Sequence, residues 1–362
     1  MDRPSSRVRF RDPQIDMAHG AGGKASRRLV EGLLRPLLLE GAVPGTGGGG
    51  ERDGGAHSSD PLGDAAAIDV DGARLAITTD SFVVTPLTFP GGSIGELAVY
   101  GTVNDLAVSG ARPVALVASF VLEAGLPSVV LEAEVRAMAR AARESGVPIV
   151  GGDTKVVEHG KTDRMYITTS GIGRRMPQVT LAAGSVRPGD RILLSGPVGD
   201  HGITILLARG ELDLEADLRS DTRSVLPLVE VVAAVAGPSL RWMRDPTRGG
   251  VATALNELAI DSGAGILLHE EMLPVRDEVR GACELLGLDP LHIASEGQFL
   301  AVVGADHVEG ALAALRAAPG GTEAAVIGEV RHEPAGAVLS ATRYGGTRIV
   351  DMLVGDPLPR IC

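Results

Sequence analysis

The chain has 362 residues, of which 34 are basic and 46 acidic, and its formal net charge is −12 at pH 7. With no basic run and only 2% aromatic residues, it offers neither a phosphate-binding surface for nucleic acid nor a platform for base stacking. No apolar stretch reaches about 18 residues and no signal-peptide pattern is present, so we expect no membrane association and a cytoplasmic location. The length allows two domains with aliphatic cores.

A glycine-rich segment near the N-terminus, residues 19–26, precedes an amphipathic run at 27–40 that predicts a helix. The segment fails the Walker A pattern. It does satisfy G-x-G-x-x-A, but no buried strand precedes it, as a dinucleotide site would require. Its Gly22 and Gly23 allow backbone amides to approach a phosphate, and a simple hinge before the helix is an equally good interpretation. Residues 43–63 are rich in Gly, Ser and Pro and are predicted to form a loop.

Beyond this loop, strands and helices alternate along the chain. Strands are predicted at 65–70, 74–79, 113–122, 147–150, 165–172, 191–195, 265–268, 298–304, 324–330 and 347–350, and helices at 95–110, 131–144, 201–209, 224–236, 249–261, 277–286 and 306–317. The predicted fold class is α/β (α+β). Its predicted parts are an N-terminal segment at 1–63, an N-terminal domain at 64–184, a C-terminal domain at 185–350 and a mobile tail at 351–362.

Aspartates recur at the ends of apolar runs in the first half of the chain, at Asp64, Asp80, Asp105 and Asp153. Proteins of the α/β class bind ligands at strand ends, and converging carboxylates suit a Mg²⁺ ion that holds nucleotide phosphates. A single aspartate in such a place is more often a turn or cap residue. Because Asp153 also follows a Gly-Gly pair and lies two positions before Lys155, the set favours a metal–phosphate site.

Two segments of the second half offer further candidates. Residues 244–250, Arg-Asp-Pro-Thr-Arg-Gly-Gly, lead into a predicted helix, so Thr247, Arg248 and free backbone amides are suited to a phosphate, with a plain capped helix start as the alternative. Glu296 lies between a serine and a glycine at the mouth of a predicted strand, where a carboxylate is a candidate general base. As an isolated motif the latter signal is weak.

The chain contains two cysteines, too few for a disulfide framework or a zinc cluster. Cys283 lies in a helical pattern and is expected to be a buried spectator. Cys362 is the last residue, and Pro357 and Pro359 before it favour an extended arm with a reach of roughly 25 Å. Such an arm can carry its thiol into a cleft or out to another protein, whereas a frayed terminus is the simpler interpretation of position alone.

Together these motifs resemble the hydrogenase expression/formation protein HypE family, within the AIR-synthase-like (PurM-like) ATP-binding superfamily. The resemblance runs along most of the chain and rests on residues 19–23, 79–84, 89–92, 101–107, 152–157, 244–250 and 357–362. The terminal hexapeptide is the specific element, because the aspartate-containing segments are shared with the wider superfamily. The insertion at 43–63 is atypical and receives no assigned role.

The resemblance implies a two-domain PurM-like fold that dimerises through its N-terminal sheets and binds ATP and Mg²⁺ in the cleft between its domains. It further implies that a carbamoyltransferase, HypF, loads a carbamoyl group onto Cys362 and that the tail folds back into the ATP site. ATP-dependent dehydration of the S-carboxamide to a thiocyanate follows. The cyano group then passes, through the HypC–HypD complex, to iron destined for a [NiFe]-hydrogenase.

The same resemblance implies roles for individual residues. Cys362 carries the substrate, Lys155 orients the thiocarboxamide and Glu296 accepts a proton, although the base role falls to Lys155 in an alternative assignment. The metal ligands would be Asp64, Asp80, Asp105 and Asp153. The nucleotide-binding residues would be Gly22, Gly23, Asp80, Asn104, Asp105, Asp153, Thr247 and Arg248.

Two alternatives remain open from the sequence. Another enzyme of the superfamily, such as selenophosphate synthetase, thiamine-phosphate kinase or AIR synthase, would use the same aspartate-containing segments. The first of these is expected to carry a reactive cysteine near the N-terminus, where this chain has none, and the others have no use for a terminal thiol. A non-catalytic carrier, in which Cys362 is a handle for partner enzymes, is the second alternative.

Overall fold

The computed structural model describes residues 9–20, 22–39, 63–210, 212, 216–355, 358 and 360–362. The predicted loop at 43–63, apart from its last residue, lies outside these residues, as do Pro357 and Pro359 of the predicted extended arm. Among the helices within the described ranges, none is long and apolar enough to cross a membrane.

The first half of the chain builds a five-stranded sheet. Its strands are β1 (Ala66–Val70), β2 (Ala73–Phe82), β5 (Ala111–Glu123), β6 (Ile149–Val157) and β7 (Met165–Arg175), and a short hairpin, β3 (Thr88–Phe89) with β4 (Gly92–Ser93), lies apart from them. The strand order is β1-β2-β7-β5-β6, with only the β5–β6 pair parallel, so β6 is an edge strand. Asp71 and Gly72 connect β1 to β2 with φ of +48° and +81°, as a two-residue hairpin turn requires.

Two helices cover one face of this sheet, α3 (Ile94–Val108) and α4 (Ser128–Glu144). Helix α3 packs against β2, β5 and β7 on one side and against α4 on another, which explains why nearly all of its residues are buried. Helix α4 is amphipathic and leaves its polar stripe exposed. The opposite face of the sheet has no covering element within the described residues.

The second half builds a seven-stranded sheet. Its strands are β8 (Arg191–Leu194), β9 (Leu240–Arg244), β10 (Gly265–His269), β11 (Leu300–Val303), β12 (Ala325–Arg331), β13 (Val338–Ala341) and β14 (Thr347–Val350), in the order β14-β13-β10-β12-β8-β11-β9. The helices are α5 (Asp200–Ala208), α6 (Leu226–Ala236), α7 (Gly250–Ser262), α8 (Asp277–Leu286) and α9 (Ala305–Ala317). Only β10 and β13 pair in parallel.

The two halves share apolar cores rather than touching through polar surfaces. One cluster joins α3 and the first sheet to α5, α8 and the last residues of the tail, including Leu358 and Ile361. Another joins the end of α3 to α6, α9 and the second sheet. At the N-terminus, α1 (Gly23–Leu29), a π-helical turn (Val30–Leu34) and α2 (Arg35–Leu39) follow one another.

The α/β fold class is confirmed, and nearly every predicted element forms within a few residues of its expected bounds. The exceptions are informative. The predicted short buried strand at 147–150 is instead the nine-residue edge strand β6, most of whose residues are exposed. Strands β9 and β13 were not predicted. The predicted boundary between the N-terminal and C-terminal domains, at residue 185, lies between the last strand of the first sheet and the first strand of the second. The boundary itself stays a prediction.

The N-terminus of α3 depends on a side chain from α4, because Ser93 at the N-cap makes no side-chain bond to the helix. Glu134 is 3% exposed, and its carboxylate accepts the Gly95 amide (3.0 Å) and the Thr88 hydroxyl (3.2 Å). Glu134→Ala would leave the amide buried without a partner, so we expect a loss of about 1–3 kcal/mol in the free energy of unfolding.

Urea unfolding followed by circular dichroism measures this loss. The matched control is Glu132→Ala, two residues before Glu134 on the same helix. It removes an exposed ion pair with Arg136 and should cost no more than about 0.5 kcal/mol. Equal effects of the two variants would contradict the capping role.

Candidate functional site

A polar cavity of about 430 Å³ lies where the first sheet, the N-terminal segment and two loops of the second half meet. Its lining includes most of the predicted site residues, namely Gly22, Gly23, Asp64, Asp80, Asp105, Thr247, Arg248 and Glu296. It also includes Asp245, which the sequence analysis quoted within a motif without assigning it a role. The cavity is therefore the candidate active site.

Three carboxylates converge on one wall of this cavity. Asp64, Asp105 and Asp245 each offer an oxygen, and these oxygens all lie within 4.8 Å of one another. Three elements supply them: Asp64 precedes β1, Asp105 lies within α3 rather than at a strand end, and Asp245 follows β9. Carboxylate oxygens from rigid elements in this number suit a hard cation such as Mg²⁺, so the donor set fits the predicted metal.

The cluster is held by neighbouring donors. The Arg244 guanidinium contacts Asp64 at 2.9 Å and Glu257 at 3.1 Å, and the Thr78 hydroxyl donates to Asp105 at 2.9 Å. Burial and the charges of Asp245, Asp64 and Asp80 raise the pKa of Asp105 well above its ordinary value. The crowding of like charges makes this wall suited to a cation.

Cationic and backbone groups line another part of the cavity. Desolvation lowers the pKa of Arg248, but the negative charges of Asp80, Cys362 and Asp105 outweigh it, so the pKa of Arg248 is raised. Gly249 and Gly250 have φ of +70° and +62°, which turns the chain sharply into α7. Arg248 and the start of α7 therefore offer positive charge and free amides toward an anion in the cavity.

Glu296 is 3% exposed, and its Oε1 has no hydrogen-bond partner among the described residues. Burial raises its pKa well above the ordinary value, and the charges of Asp245, Asp80 and Asp221 add to this effect. Its backbone is fixed from behind, because the Asp221 carboxylate accepts the Glu296 amide at 3.0 Å. A buried carboxyl with a raised pKa on a rigid loop is suited to proton transfer.

Asn104, predicted to bind nucleotide, lies outside the cavity lining. It is 1% exposed, and its amide group donates to the carbonyls of Glu296 (3.0 Å) and Arg223 (3.0 Å) while accepting the Val225 amide (2.8 Å). In this structure Asn104 therefore positions the Glu296 loop. The predicted role of Gly22 also changes in detail, because its amide donates to the Ser26 hydroxyl at 2.9 Å.

The tail is docked on its own chain. Its first part crosses the start of α1, where the Lys24 amide donates to the Leu353 carbonyl at 3.0 Å. At its end, the Val83 amide donates to the Cys362 carbonyl at 2.9 Å, and the Arg209 guanidinium donates to the Arg360 carbonyl at 2.8 Å. These contacts hold Cys362 near the cavity, close enough for its charge to act on Arg248.

His201 completes this tail-binding surface. It is fully buried, and its ring lies 2.6 Å from the Ile361 carbonyl through Nε2 and 2.8 Å from the Ser220 hydroxyl through Nδ1. A carbonyl can only accept, so Nε2 carries the proton and Nδ1 accepts from Ser220. Burial lowers the pKa of His201 to about 4, although the bond to Ile361 opposes this shift.

Asp153 and Lys155, like Asn104, are predicted site residues that do not line the cavity. They lie in the middle of β6, and their side chains are 60% and 67% exposed and 2.6 Å apart. The predicted strand end at residue 153 is wrong, because β6 continues through the Gly-Gly pair alongside β5. Both side chains share the uncovered face of the sheet with Ser119 and Val121, their register partners on β5.

The sequence analysis missed Asp245, Asp221, His201 and Arg209. Asp245 carried the same signal as Asp64 and Asp80, an aspartate bordering an apolar run, and only an unpredicted strand hid it. His201 and Arg209 act by contacting backbone carbonyls of a segment 150 or more residues away. No local pattern signals such contacts.

Two family models match the chain, that for the N-terminal domain of AIR synthase related proteins at residues 62–175 and that for their C-terminal domain at 187–340. Carbamoyl dehydratase HypE of Azotobacter vinelandii is 48% identical, over 99% of this chain and 100% of its own length. The chain belongs to the HypE family. HypE of Rhodobacter capsulatus is similarly 49% identical, over 98% of this chain and 99% of that protein.

Solved structures agree with membership of the HypE family. A crystal structure of a HypE–HypF complex superposes with a TM-score of 0.79 at 41% identity, covering 89% of this chain and 99% of that one. A structure of HypE in complex with ATP superposes with a TM-score of 0.76 at 44% identity, covering 96% of this chain and 99% of that one. The predicted family and its two-domain AIR-synthase-like fold are confirmed.

Tail docking in this HypE-family protein requires glycine at position 23. Gly23 has φ of +74°, and a Cβ there would lie 2.4 Å from the Leu353 carbonyl oxygen. We expect Gly23→Ala to displace the start of the tail. Amide hydrogen exchange should then be about tenfold or more faster at Val83, whose amide donates to the main-chain oxygen of Cys362, because opening of the tail removes this protection.

Gly160→Ala is the matched control for this experiment. Gly160 has a similar φ of +77°, but nothing lies within 4 Å of a Cβ at that position. The control therefore carries the same backbone strain without the contact with the tail. Equal exchange in both variants would show that the tail does not depend on this crossing.

His201 also predicts how stability depends on pH. With a pKa of about 4 when folded and 6.5 as its ordinary value, the unfolded chain binds more protons between these limits, so stability falls as pH is lowered. Relative to pH 8, His201 should account for a loss on the order of 2 kcal/mol at pH 5.

Urea unfolding of wild type and His201→Gln at pH 8 and pH 5 isolates this contribution, since glutamine does not titrate and can still donate to Ile361. The stability advantage of wild type over the variant should shrink at pH 5. An advantage that stays constant would exclude a buried neutral imidazole at this position.

Proposed function

We propose that this protein is a hydrogenase maturation factor that uses ATP to dehydrate a carbamoyl group on Cys362 to a thiocyanate. The observation that carries this proposal is the docked tail, which places the terminal cysteine beside a cavity with an acidic wall, a cationic wall and a buried carboxyl. The names and structures of the HypE relatives support the same reaction and its use of ATP.

The chemistry explains why such a cavity is needed. The oxygen of a carboxamide is a poor leaving group, and transfer of the ATP γ-phosphoryl group to it makes departure as phosphate feasible. The amide nitrogen must also give up both of its protons to become C≡N, one to a base in the site and the other to the departing phosphate. The site therefore has to bind a triphosphate, orient the thiocarboxamide and accept a proton.

The cavity residues divide these tasks. Arg248, Thr247 and the amides at the start of α7 bind phosphate oxygens, where charge develops during transfer. Asp64, Asp105 and Asp245 would hold Mg²⁺ with Asp80 beside them, and the ion would neutralise phosphate charge when bound. Asp153 was predicted among these ligands, but its place on the outer face of β6 favours Asp245 instead.

Glu296 is the proposed general base for the nitrogen. Its raised pKa comes partly from neighbouring carboxylates, so neutralisation of the acidic wall removes part of the repulsion that keeps it protonated. Asn104 and Asp221 act as positioning residues, because they fix the backbone of Glu296 from two sides. Bound in this way, the carboxyl can accept a proton without reorganising its loop.

Lys155 enters the proposal through a second copy of the chain. The uncovered face of the first sheet carries exposed apolar side chains, including Ile68, Ile77 and Val117, which supports a homodimer formed by these faces. Lys155 lies on the edge strand of the same face and is two-thirds exposed. In such a dimer it would approach the thiocarboxamide in the partner's cavity.

The structure of a HypE–HypF complex supports HypF as the carbamoyl donor for Cys362. HypC–HypD is the proposed acceptor of the cyano group, and the cytoplasm is the proposed location. The tail must leave its docked position for both exchanges.

Intact mass spectrometry tests the reaction. Carbamoylated protein incubated with MgATP should lose the mass of one water molecule, because the carboxamide becomes a nitrile. Glu296→Gln should still accept the carbamoyl group and bind ATP. Its dehydration rate should fall at least about 100-fold, since a general base contributes this factor or more.

Two controls accompany this measurement. Glu309→Gln changes an exposed glutamate on α9 and should leave the rate unchanged. Cys362→Ser should bind ATP without forming the loaded species. If carbamoylated wild-type protein keeps its mass after incubation with MgATP, the protein is a non-catalytic carrier and the proposal is wrong.

Subunit mixing tests the role of the dimer separately. Lys155→Ala and Cys362→Ser should each be inactive as pure variants. In a mixed dimer, the chain with an intact tail receives Lys155 from its partner, so activity should reappear in proportion to the mixed species. No recovery in mixtures shown to exchange subunits would contradict the contribution of Lys155 across the dimer.

A further inference from the structure

A second cavity, of about 750 Å³, lies at the far end of the first sheet and shares no residue with the candidate active site. Four arginines line it, Arg74 from β2, Arg112 from β5, and Arg174 and Arg175 from the end of β7. Arg74 lies six residues before Asp80 on the same strand, which corresponds to roughly 20 Å. The proposed function assigns nothing to this cavity.

The register of the sheet sets the four arginines in two pairs, one on each face, because successive side chains of a strand point to opposite faces. Arg112 is directly opposite Arg174 in the antiparallel β5–β7 pair. Arg74 lies near Arg175, where desolvation and the positive charge of Arg74 lower the pKa of Arg175. Like charges directly opposite each other destabilise a sheet. The arginines of each pair therefore repel each other in the protein without a bound anion.

Few anionic groups offset the cluster. Arg112 contacts Glu230 at 2.7 Å. Within the described parts of the chain, no carboxylate lies within ion-pair distance of Arg74, Arg174 or Arg175, although Asp69 is near enough to act on Arg175 through its field. The protein as a whole has a net charge of −12, so a local cluster of positive charge with few carboxylate partners is unusual in this chain.

We propose that this arginine cavity binds a multivalent phosphate anion. Guanidinium groups bind phosphate oxygens through paired N–H donors, and their fixed charge compensates an anion that carries two or more negative charges. A bound anion would also relieve the repulsion between Arg74 and Arg175. The proposal does not depend on the dehydration reaction or on Cys362.

A small anion fits the site better than an acidic protein segment does. The arginines surround a concave space bounded on one side by Met176, Pro177 and Gln178, instead of being spread along an extended surface. A volume of about 750 Å³ is typical of small-molecule sites. Arg74 and Arg175, which lie on the same face of the sheet, are the pair that would bind a single anionic group.

Calorimetric titration with inorganic pyrophosphate in metal-free buffer tests the proposal on the full chain. Pyrophosphate bound by Arg248 in the first cavity would not depend on the arginines of the second cavity, so variants of Arg74 and Arg175 report on the second cavity alone. Wild type should bind pyrophosphate saturably, and more weakly as NaCl is raised. Arg74→Gln combined with Arg175→Gln should weaken binding about tenfold or more.

Arg136→Gln is the matched control, because Arg136 is an arginine on α4, 71% exposed and paired with Glu132. It should leave pyrophosphate affinity unchanged. The absence of saturable binding by wild type, or equal affinity in the double variant, would overturn the proposal. Arginine-dependent binding of a hexaglutamate peptide but not of pyrophosphate would also overturn it and identify an acidic protein segment as the ligand.

Thermal unfolding gives a second readout that a purely structural role would not produce. Without ligand, Arg175→Gln should raise the melting temperature by about 1–3 °C, since it removes a like-charge contact. With saturating pyrophosphate, wild type should gain stability and the variant should gain less. The proposal would be contradicted if Arg175→Gln had a lower melting temperature than wild type without ligand and gained as much stability as wild type on adding pyrophosphate.

Discussion

Repulsion among carboxylates is the constraint on which the candidate active site depends. Asp64, Asp105 and Asp245 come from separate elements and meet within 4.8 Å, an arrangement that a folded chain adopts only when stronger interactions enforce it. Here the enforcement comes from the buried helix α3, from Arg244 between Asp64 and Glu257, and from the apolar cores shared by the two halves. A cation bound between these carboxylates would relieve their repulsion.

The tail is recognised through its backbone more than through its sulfur. His201 donates to the carbonyl of Ile361, Arg209 to that of Arg360, and the Val83 amide to that of Cys362. The Leu358 and Ile361 side chains are buried in the core that joins α3 to α5. A receptor of this kind accepts the free thiol, the carbamoyl form and the cyano form alike, because none of these contacts changes with the group on sulfur.

Much of the fold and part of the site could be predicted from the sequence, for identifiable reasons. Helices and strands have local periodicity, so α4, α8 and the β1–β2 hairpin appeared close to their true bounds. Asp64, Asp80 and Asp105 were found because aspartate beside an apolar run is a local signal. Asp153 carried that signal too, but sheet pairing extended β6 through residues 151–152 and placed Asp153 on the outer face. Asn104 was correctly placed in α3, whereas its bonds to the Glu296 loop depend on contacts between distant segments.

The buried imidazole of His201 shows how docking can be firm and still reversible. A neutral histidine donates to Ile361 without placing a charge in the core, and its pKa of about 4 keeps it neutral through the physiological range. An arginine or lysine at this position would need a buried counter-ion. Departure of the tail would then leave an unpaired charge in the low-dielectric interior. A neutral hydrogen bond contributes only about 1 kcal/mol net, so the tail is released by breaking several modest contacts. The tail also makes two ion pairs, Arg360 with Asp163 and Asp351 with Lys24, but their side chains are partly exposed, where ion pairs contribute little. The exchange with partner proteins that the proposed function requires is therefore opposed by several modest contacts and by no buried ion pair among those described.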